Sequence, residues 1–206
     1  MDKTVIPFWE ETYQKDDVMT FSVEPNRTIK EFEQLLKKQS NILEAGCGEG
    51  QNVLYLAKQG YCNIDAFDIS EAGTSKLKRL CEISGVDVNA FGHDLTTYNF
   101  DKKYHLIMSF ATLCFVKKND WKQFINKAKE NTNAGGIHIM HIFTDTVPAS
   151  ADIAPFAVGL AQEGEIREMY NDWEILQFPS YVFEDEHPNV PKHMHAVNKI
   201  VARKEN

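Results

Sequence analysis

Ile42-Leu43-Glu44-Ala45-Gly46-Cys47-Gly48-Glu49-Gly50 reads as a buried strand that runs straight into a glycine-rich turn. Gly46, Gly48 and Gly50 stand at alternate positions. Glycine adopts positive φ without strain and has no Cβ to hold a ligand away from the main chain. Gln51 to Ala57 then carries helical spacing, with Gly60 as its stop. The unpaired N–H groups and positive dipole end of that helix would face the same crevice as the turn. Strand, glycine turn and helix in this order open a nucleotide-binding α/β sheet.

The spacing separates two kinds of ligand. Dinucleotide sites use G-x-G-x-x-G, whose third glycine allows close helix packing beside the pyrophosphate. Here that position is Gln51, the glycine falls one residue early, and Glu44 lies two residues before the first glycine. A carboxylate there suits a cationic amino-acid group and would repel a pyrophosphate. Glu-x-Gly-x-Gly-x-Gly resembles motif I of the class I S-adenosylmethionine-dependent methyltransferases. The resemblance implies a Rossmann-like α/β fold: a mostly parallel seven-stranded sheet, an antiparallel C-terminal strand and helices on both faces. It also implies S-adenosyl-L-methionine as cofactor, with Glu44, Gly46, Cys47, Gly48 and Gly50 around it. A nicotinamide-dependent oxidoreductase and a purely structural glycine turn are the alternatives.

The 206 residues suit one domain spanning 1–206. A hydrophobic share of 43% and a charged share of 25% are those of an ordinary globule. The net charge of -8 argues against nucleic acid or an anionic membrane as partner and favours a small-molecule acceptor. No apolar run is long enough to cross a bilayer and Met1-Asp2-Lys3-Thr4 has no signal-peptide pattern, so a cytoplasmic monomer or homodimer is expected. Cys47, Cys62, Cys81 and Cys114 form no C-x-x-C pair and read as reduced thiols. Cys47 reads as a small residue filling a tight turn rather than a redox centre.

Residues 1–40 read as an aromatic arm, with Phe8, Trp9, Tyr13 and Phe21, then Glu24-Pro25-Asn26-Arg27 and a helix burying Ile29, Phe32, Leu35 and Leu36. The arm is either simple packing or a flap that offers aromatic faces to a sulfonium cation. Trp9 and Arg27 are therefore cofactor-site candidates. Asn63 to Asp68 reads as the second strand, ending 18 residues beyond Gly50 in an acid placed to clamp a ribose. Ile69 follows it, and Ser70 competes as cap of the next helix, which carries Leu77, Leu80 and Cys81 and stops near Gly85.

Val86 to Phe91 makes a short strand followed by His93-Asp94-Leu95. Class resemblance implies adenine recognition by Asp94 beside His93, with a loop cap as the alternative. Tyr104 to Phe110 is a buried strand whose end, at Phe110, and following loop Ala111 to Val116 should wall the site at the topological switch point. A helix from Asn119 with Trp121, Phe124, Ile125 and Ala128 inward precedes the strand Ile137 to Phe143. His138 and His141 lie three apart, so they point to opposite faces of that strand and read as packing or edge residues. The stretch 144–162, with Pro148 and Pro155, reads as a lid or substrate loop.

Glu163-Gly164-Glu165-Ile166-Arg167-Glu168-Met169-Tyr170, followed by Asn171 to Leu176, resembles the short helix and strand of the tellurite-resistance methyltransferase family. With Glu44 to Gly50 and a closing strand His195 to Lys204, the resemblance runs from the glycine turn onward. It implies basic residues before the last strand that assist an oxyanion acceptor. This chain has His187, His193 and His195 there but no matching arginine pair. His193 and His195 are two apart and share a face in a strand, which makes them the catalytic candidates, with solvated edge residues as the alternative. A metal held by His187, His193 and His195 is set aside, with no cysteine nearby, so no metal is expected. The functional expectation is in-line methyl transfer to a tellurium or selenium oxyanion, a small thiol or a metabolite. The alternative is a cofactor-binding sensor without catalysis.

Overall fold

A computed structural model describes residues 6–15, 17–187 and 190–205. It holds one eight-stranded sheet with the order β3-β2-β1-β4-β5-β8-β6, and β7 paired beside β8. The strands are β1 (Asn41–Ala45), β2 (Asn63–Asp68), β3 (Asn89–Gly92), β4 (Tyr104–Phe110), β5 (Thr132–Phe143), β6 (Glu174–Gln177), β7 (Ser180–His187) and β8 (Val190–Arg203). The first five pair in parallel, and β8 runs antiparallel to β5, β6 and β7. Strand order reverses between β1 and β4, so a crevice opens at their carboxyl ends.

This is the Rossmann-like class I architecture expected above, with one difference in count. The outermost strand is broken at Phe178-Pro179 into β6, which pairs with the end of β8, and β7, which pairs with its beginning. Proline has no N–H to give a ladder. β8 is 14 residues long, and β5 stops pairing with it at Phe143 and Val197. The β7–β8 hairpin therefore continues past the end of β5 and stands over the crevice.

Each face of the sheet carries its own core. Strand periodicity sends Leu43, Ile107 and Met140 to one side and Ile42, Leu106 and Ile139 to the other. On the first side, α5 (Lys118–Glu130) inserts Trp121, Phe124, Ile125 and Ala128, one stripe at helical spacing. α2 (Arg27–Phe32, after α1 at Phe8–Tyr13) covers the second side with Ile29, as do α3 (Gln51–Lys58) and α4 (Glu71–Ser84) with Val53, Leu56, Leu77 and Cys81. Ser70 caps α4 by accepting from Gly73 N at 3.0 Å, and Gly85 closes it in the left-handed conformation. α6 (Glu165–Glu168) is a single turn before β6.

His138 and His141 do point to opposite faces. His138 Nδ1 lies 2.8 Å from Tyr170 Oη and its Nε2 2.8 Å from Thr132 Oγ1, and burial pushes the ring's pKa down to about 3. His141 meets Phe110, at 4.6 Å between centroids, on the other side. No helix among the described residues is long and apolar enough to cross a membrane. Residues 1–5 and 16 of the expected arm lie outside the described residues.

Candidate active site

The glycine turn is held by its neighbours as well as by its own glycines. Gly46 N and Cys47 N both donate to Phe67 O of β2, at 2.8 and 3.0 Å. Gly48 has φ +52, and a Cβ on it would fall 2.4 Å from Tyr13 Oη. The turn thus packs directly under α1. Its Glu49 is fully buried and pairs through Oε2 with Lys76 Nζ of α4 at 2.8 Å, while Oε1 accepts from Thr20 N at 2.6 Å. Lys76 also donates to Val18 O. One buried ion pair therefore joins the turn, α4 and the segment after α1.

At the switch point these parts enclose a cavity of about 490 Å³, within the range of small-molecule sites. Glu44, Gly46, Cys47, Gly48, Asp68, Ile69, His93, Asp94, Phe110, Trp9 and His195, all candidates from the sequence, line it. Glu44 is 2% exposed; Oε1 accepts from Asn52 Nδ2 at 2.6 Å, and Oε2 has no hydrogen-bond partner. Burial raises its pKa to about 8, against the pull of the Asn52 bond. Asp68 accepts from Gly48 N at 2.8 Å through Oδ2 and from Ser70 N at 2.9 Å through Oδ1. Burial raises this acid as well, and the two backbone donors oppose the shift. Each carboxylate oxygen has a second lone pair, so Asp68 can still accept from a ligand.

Asp94 caps the following turn, accepting from Thr96 N and Thr96 Oγ1, both at 2.8 Å, while it also lines the cavity. The cap and the ligand-facing roles are compatible. The neighbouring His93 donates from Nδ1 to Asp94 O at 2.9 Å. Trp9 packs against Phe115 at 5.0 Å and Phe156 at 5.5 Å, closing the far wall between α1 and the stretch after β5. The thiol of Cys47 is pushed far up by burial, so it is neutral and fills the turn.

The chain has the same build as known proteins. A family model described as "Tellurite resistance protein TehB" matches residues 10–190. The chain belongs to the TehB family. It is 31% identical over 139 residues to the "Probable S-adenosyl-L-methionine-dependent methyltransferase TehB" of Haemophilus influenzae, covering 66% of this chain and 47% of that protein. The crystal structure of TehB from Haemophilus influenzae superposes with a TM-score of 0.76 at 25% identity, covering 86% of this chain and 62% of that one. A sarcosine/dimethylglycine N-methyltransferase of Halorhodospira halochloris is 26% identical over 206 residues, 92% of this chain and 71% of that protein. The chain spans about half the length of the first of these relatives.

Against this cavity, two sequence expectations need correction and a third an addition. Arg27 does not face the cavity: it begins α2 with its side chain 91% exposed and pairs with Glu31 one turn on, at 2.7 Å. Gly50 does not line it either; with φ +81 it starts α3, and its missing Cβ makes room for Leu77, whose Cδ1 would lie 2.3 Å away. His141, read as a packing or edge residue, does pack, buried against Phe110 and 3.4 Å from Thr28 Oγ1, and it also lines the cavity. His138 points to the opposite face of β5, and the sequence does not show that the strand end carrying His141 reaches the crevice.

His193 and His195 do share a face, with Nε2 atoms 2.9 Å apart. His195 is buried, lines the cavity, and stacks on Phe143 at 4.4 Å. His193 sits behind it, with its Nε2 3.6 Å from Asp152 Oδ2. Asp152 had no signal of its own in the sequence. The side chain of His187 lies outside the described residues.

Proposed function

We propose that this chain is an S-adenosylmethionine-dependent methyltransferase acting on a small soft nucleophile, with a thiolate, selenolate or reduced tellurium species as the acceptor class. One observation carries the reading. Two carboxylates, the buried Glu44 before the glycine turn and the half-buried Asp68 bonded to Gly48 within it, face a single cavity beneath aromatic rings. The unpartnered Oε2 of Glu44 suits the ammonium group of the cofactor's amino-acid part. The free lone pairs of Asp68 suit two ribose hydroxyls, and Ile69, His93 and Asp94 border the adenine end. The close approach at Gly46 and Gly48 leaves main chain as the floor.

When bound, the cofactor supplies a methyl group on a sulfonium. Displacement at that methyl needs alignment more than acid or base, and a near-attack geometry is worth about 7–11 kcal/mol. Phe8, Trp9 and Phe115 would exclude water from the methyl and offer their faces to the cation. The stretch 144–162 acts as a lid, since Phe156 reaches Trp9 and Gly159 is anchored by Trp121 Nε1 at 2.9 Å. His195 and His141 border the acceptor end.

The test is methyl transfer measured on a panel of tellurite, selenite and small thiols, beside calorimetric titration with S-adenosylmethionine, S-adenosylhomocysteine and NADH. Binding of both sulfur ligands but not NADH, with a methylated product from the panel, is expected. Binding with no product across the panel would favour a cofactor-binding protein without catalysis. Failure to bind either sulfur ligand would refute the reading.

A further inference from the structure

We infer that Asp152, His193 and His195 form a binding site for a divalent transition-metal ion, zinc or a close neighbour, that latches the stretch after β5 to the β7–β8 hairpin. The ligand atoms offered by these three side chains all lie within 4.8 Å of one another. Three donors on a tetrahedral ion, each about 2.0–2.2 Å away, sit roughly 3.3 Å apart. The pairs at 2.9 Å (His193 Nε2 to His195 Nε2) and 3.6 Å (His193 Nε2 to Asp152 Oδ2) bracket that spacing.

The arrangement of protons and charge points the same way. His193 Nδ1 lies 2.8 Å from Pro191 O, and a carbonyl only accepts, so Nδ1 carries the proton. In the neutral ring, Nε2 then accepts the 2.9 Å bond from His195 Nε2–H, a proton that an ion bound between the two rings would displace. Such a carbonyl bond behind the ring is the usual support of a metal-binding histidine. The Asp152 side chain is 4% exposed, and neither of its carboxylate oxygens has a hydrogen-bond partner. A buried carboxylate that faces a lone pair without a donor is costly, and a dication between them removes the cost. His195 is held in orientation by stacking on Phe143, with ring planes 10° apart, and by Phe183 at 5.7 Å.

Two imidazoles and one carboxylate leave at least one position of the ion for a fourth ligand. His195 lines the cavity, so that position is next to the acceptor end. A thiol or oxyanion taken up there would be held for reaction and, for a thiol, deprotonated; this role rests on the methyltransferase reading, whereas the ion site does not.

Protein stripped with a chelator would be titrated with Zn²⁺ by calorimetry and, separately, with Co²⁺ followed by visible absorption. One equivalent bound at micromolar or tighter Kd, a tetrahedral cobalt spectrum, and at least a hundredfold loss in both Asp152→Asn and His193→Ala are expected. Circular dichroism and S-adenosylhomocysteine titration of each variant establish that the fold and cofactor cavity are intact. Wild-type protein without one-to-one binding, or folded variants that bind as tightly as wild type, would overturn the inference. The S-adenosylhomocysteine titration of stripped protein reports on the methyltransferase reading independently.

Discussion

Titrating the protein with S-adenosylmethionine at pH 7 should release close to one proton from Glu44. Burial holds this carboxyl at about 8, so about nine-tenths of it is protonated at pH 7 in the ligand-free state. An ammonium group against Oε2 favours the carboxylate and returns its pKa towards the ordinary range or below. Binding at pH 7 must then displace about 0.9 proton, at a cost of about 1.4 kcal/mol relative to the high-pH limit. Affinity should rise nearly tenfold from pH 6 to 7, where the cofactor's amino group is still protonated. Calorimetry in buffers of different ionisation enthalpy measures the released proton directly. S-adenosylhomocysteine carries the same amino-acid part and should give the same release. Glu44→Gln keeps an acceptor for Asn52 Nδ2 but has no proton to lose, so both the release and the pH slope should shrink by its share. Heats independent of buffer, with an affinity flat between pH 6 and 7, would refute the placement of Glu44 against the ammonium.

Three further outcomes follow from the geometry. Asp68→Ala removes two charge-assisted bonds worth about 1.5–3 kcal/mol each and should weaken cofactor binding by about a hundredfold or more, measured by calorimetry on a variant with native circular dichroism. Lys76→Met leaves the fully buried Glu49 carboxylate without its cation and should cost about 3–5 kcal/mol in denaturant unfolding, while adding Glu49→Gln should recover much of it. His138, held neutral to about pH 3 by burial, binds its proton more readily in the unfolded chain, so folding stability is full above pH 6.5 and falls as the pH drops towards 3. This single ring should cost roughly 2 kcal/mol between pH 7 and 5, read from denaturation midpoints at each pH.

Local rules carried most of the α/β reading. Gly46 to Gly50 could be read because positive φ and close approach are demands on single residues, met by single glycines. β2 and β4 could be read to their ends because both are short apolar runs with flanking turn signals. What escaped depends on where distant segments meet. Glu49 and Lys76 are 27 positions apart, and nothing in either neighbourhood says that both are buried. The spacing puts His138 and His141 on opposite faces of β5, but which of the two reaches the crevice depends on where β5 ends and on the reversal of strand order between β1 and β4.

The split of the outer strand at Phe178-Pro179 has the same character, and it matters most for function. A single proline reads as a strand end. Here the chain resumes on the same edge of β8, with Lys199 N donating to Pro179 O at 3.0 Å, and β7 then carries Tyr181, Phe183 and Asp185 up to the cavity. That extension is what places His193 and His195 opposite Asp152, 41 positions earlier than His193 in the chain. Local pattern thus reports the half of the cavity proposed for the cofactor, which is built from consecutive strand ends. The half proposed for the acceptor is assembled by a hairpin reaching back over an irregular stretch, and its chemistry could be read only once those segments had been placed together.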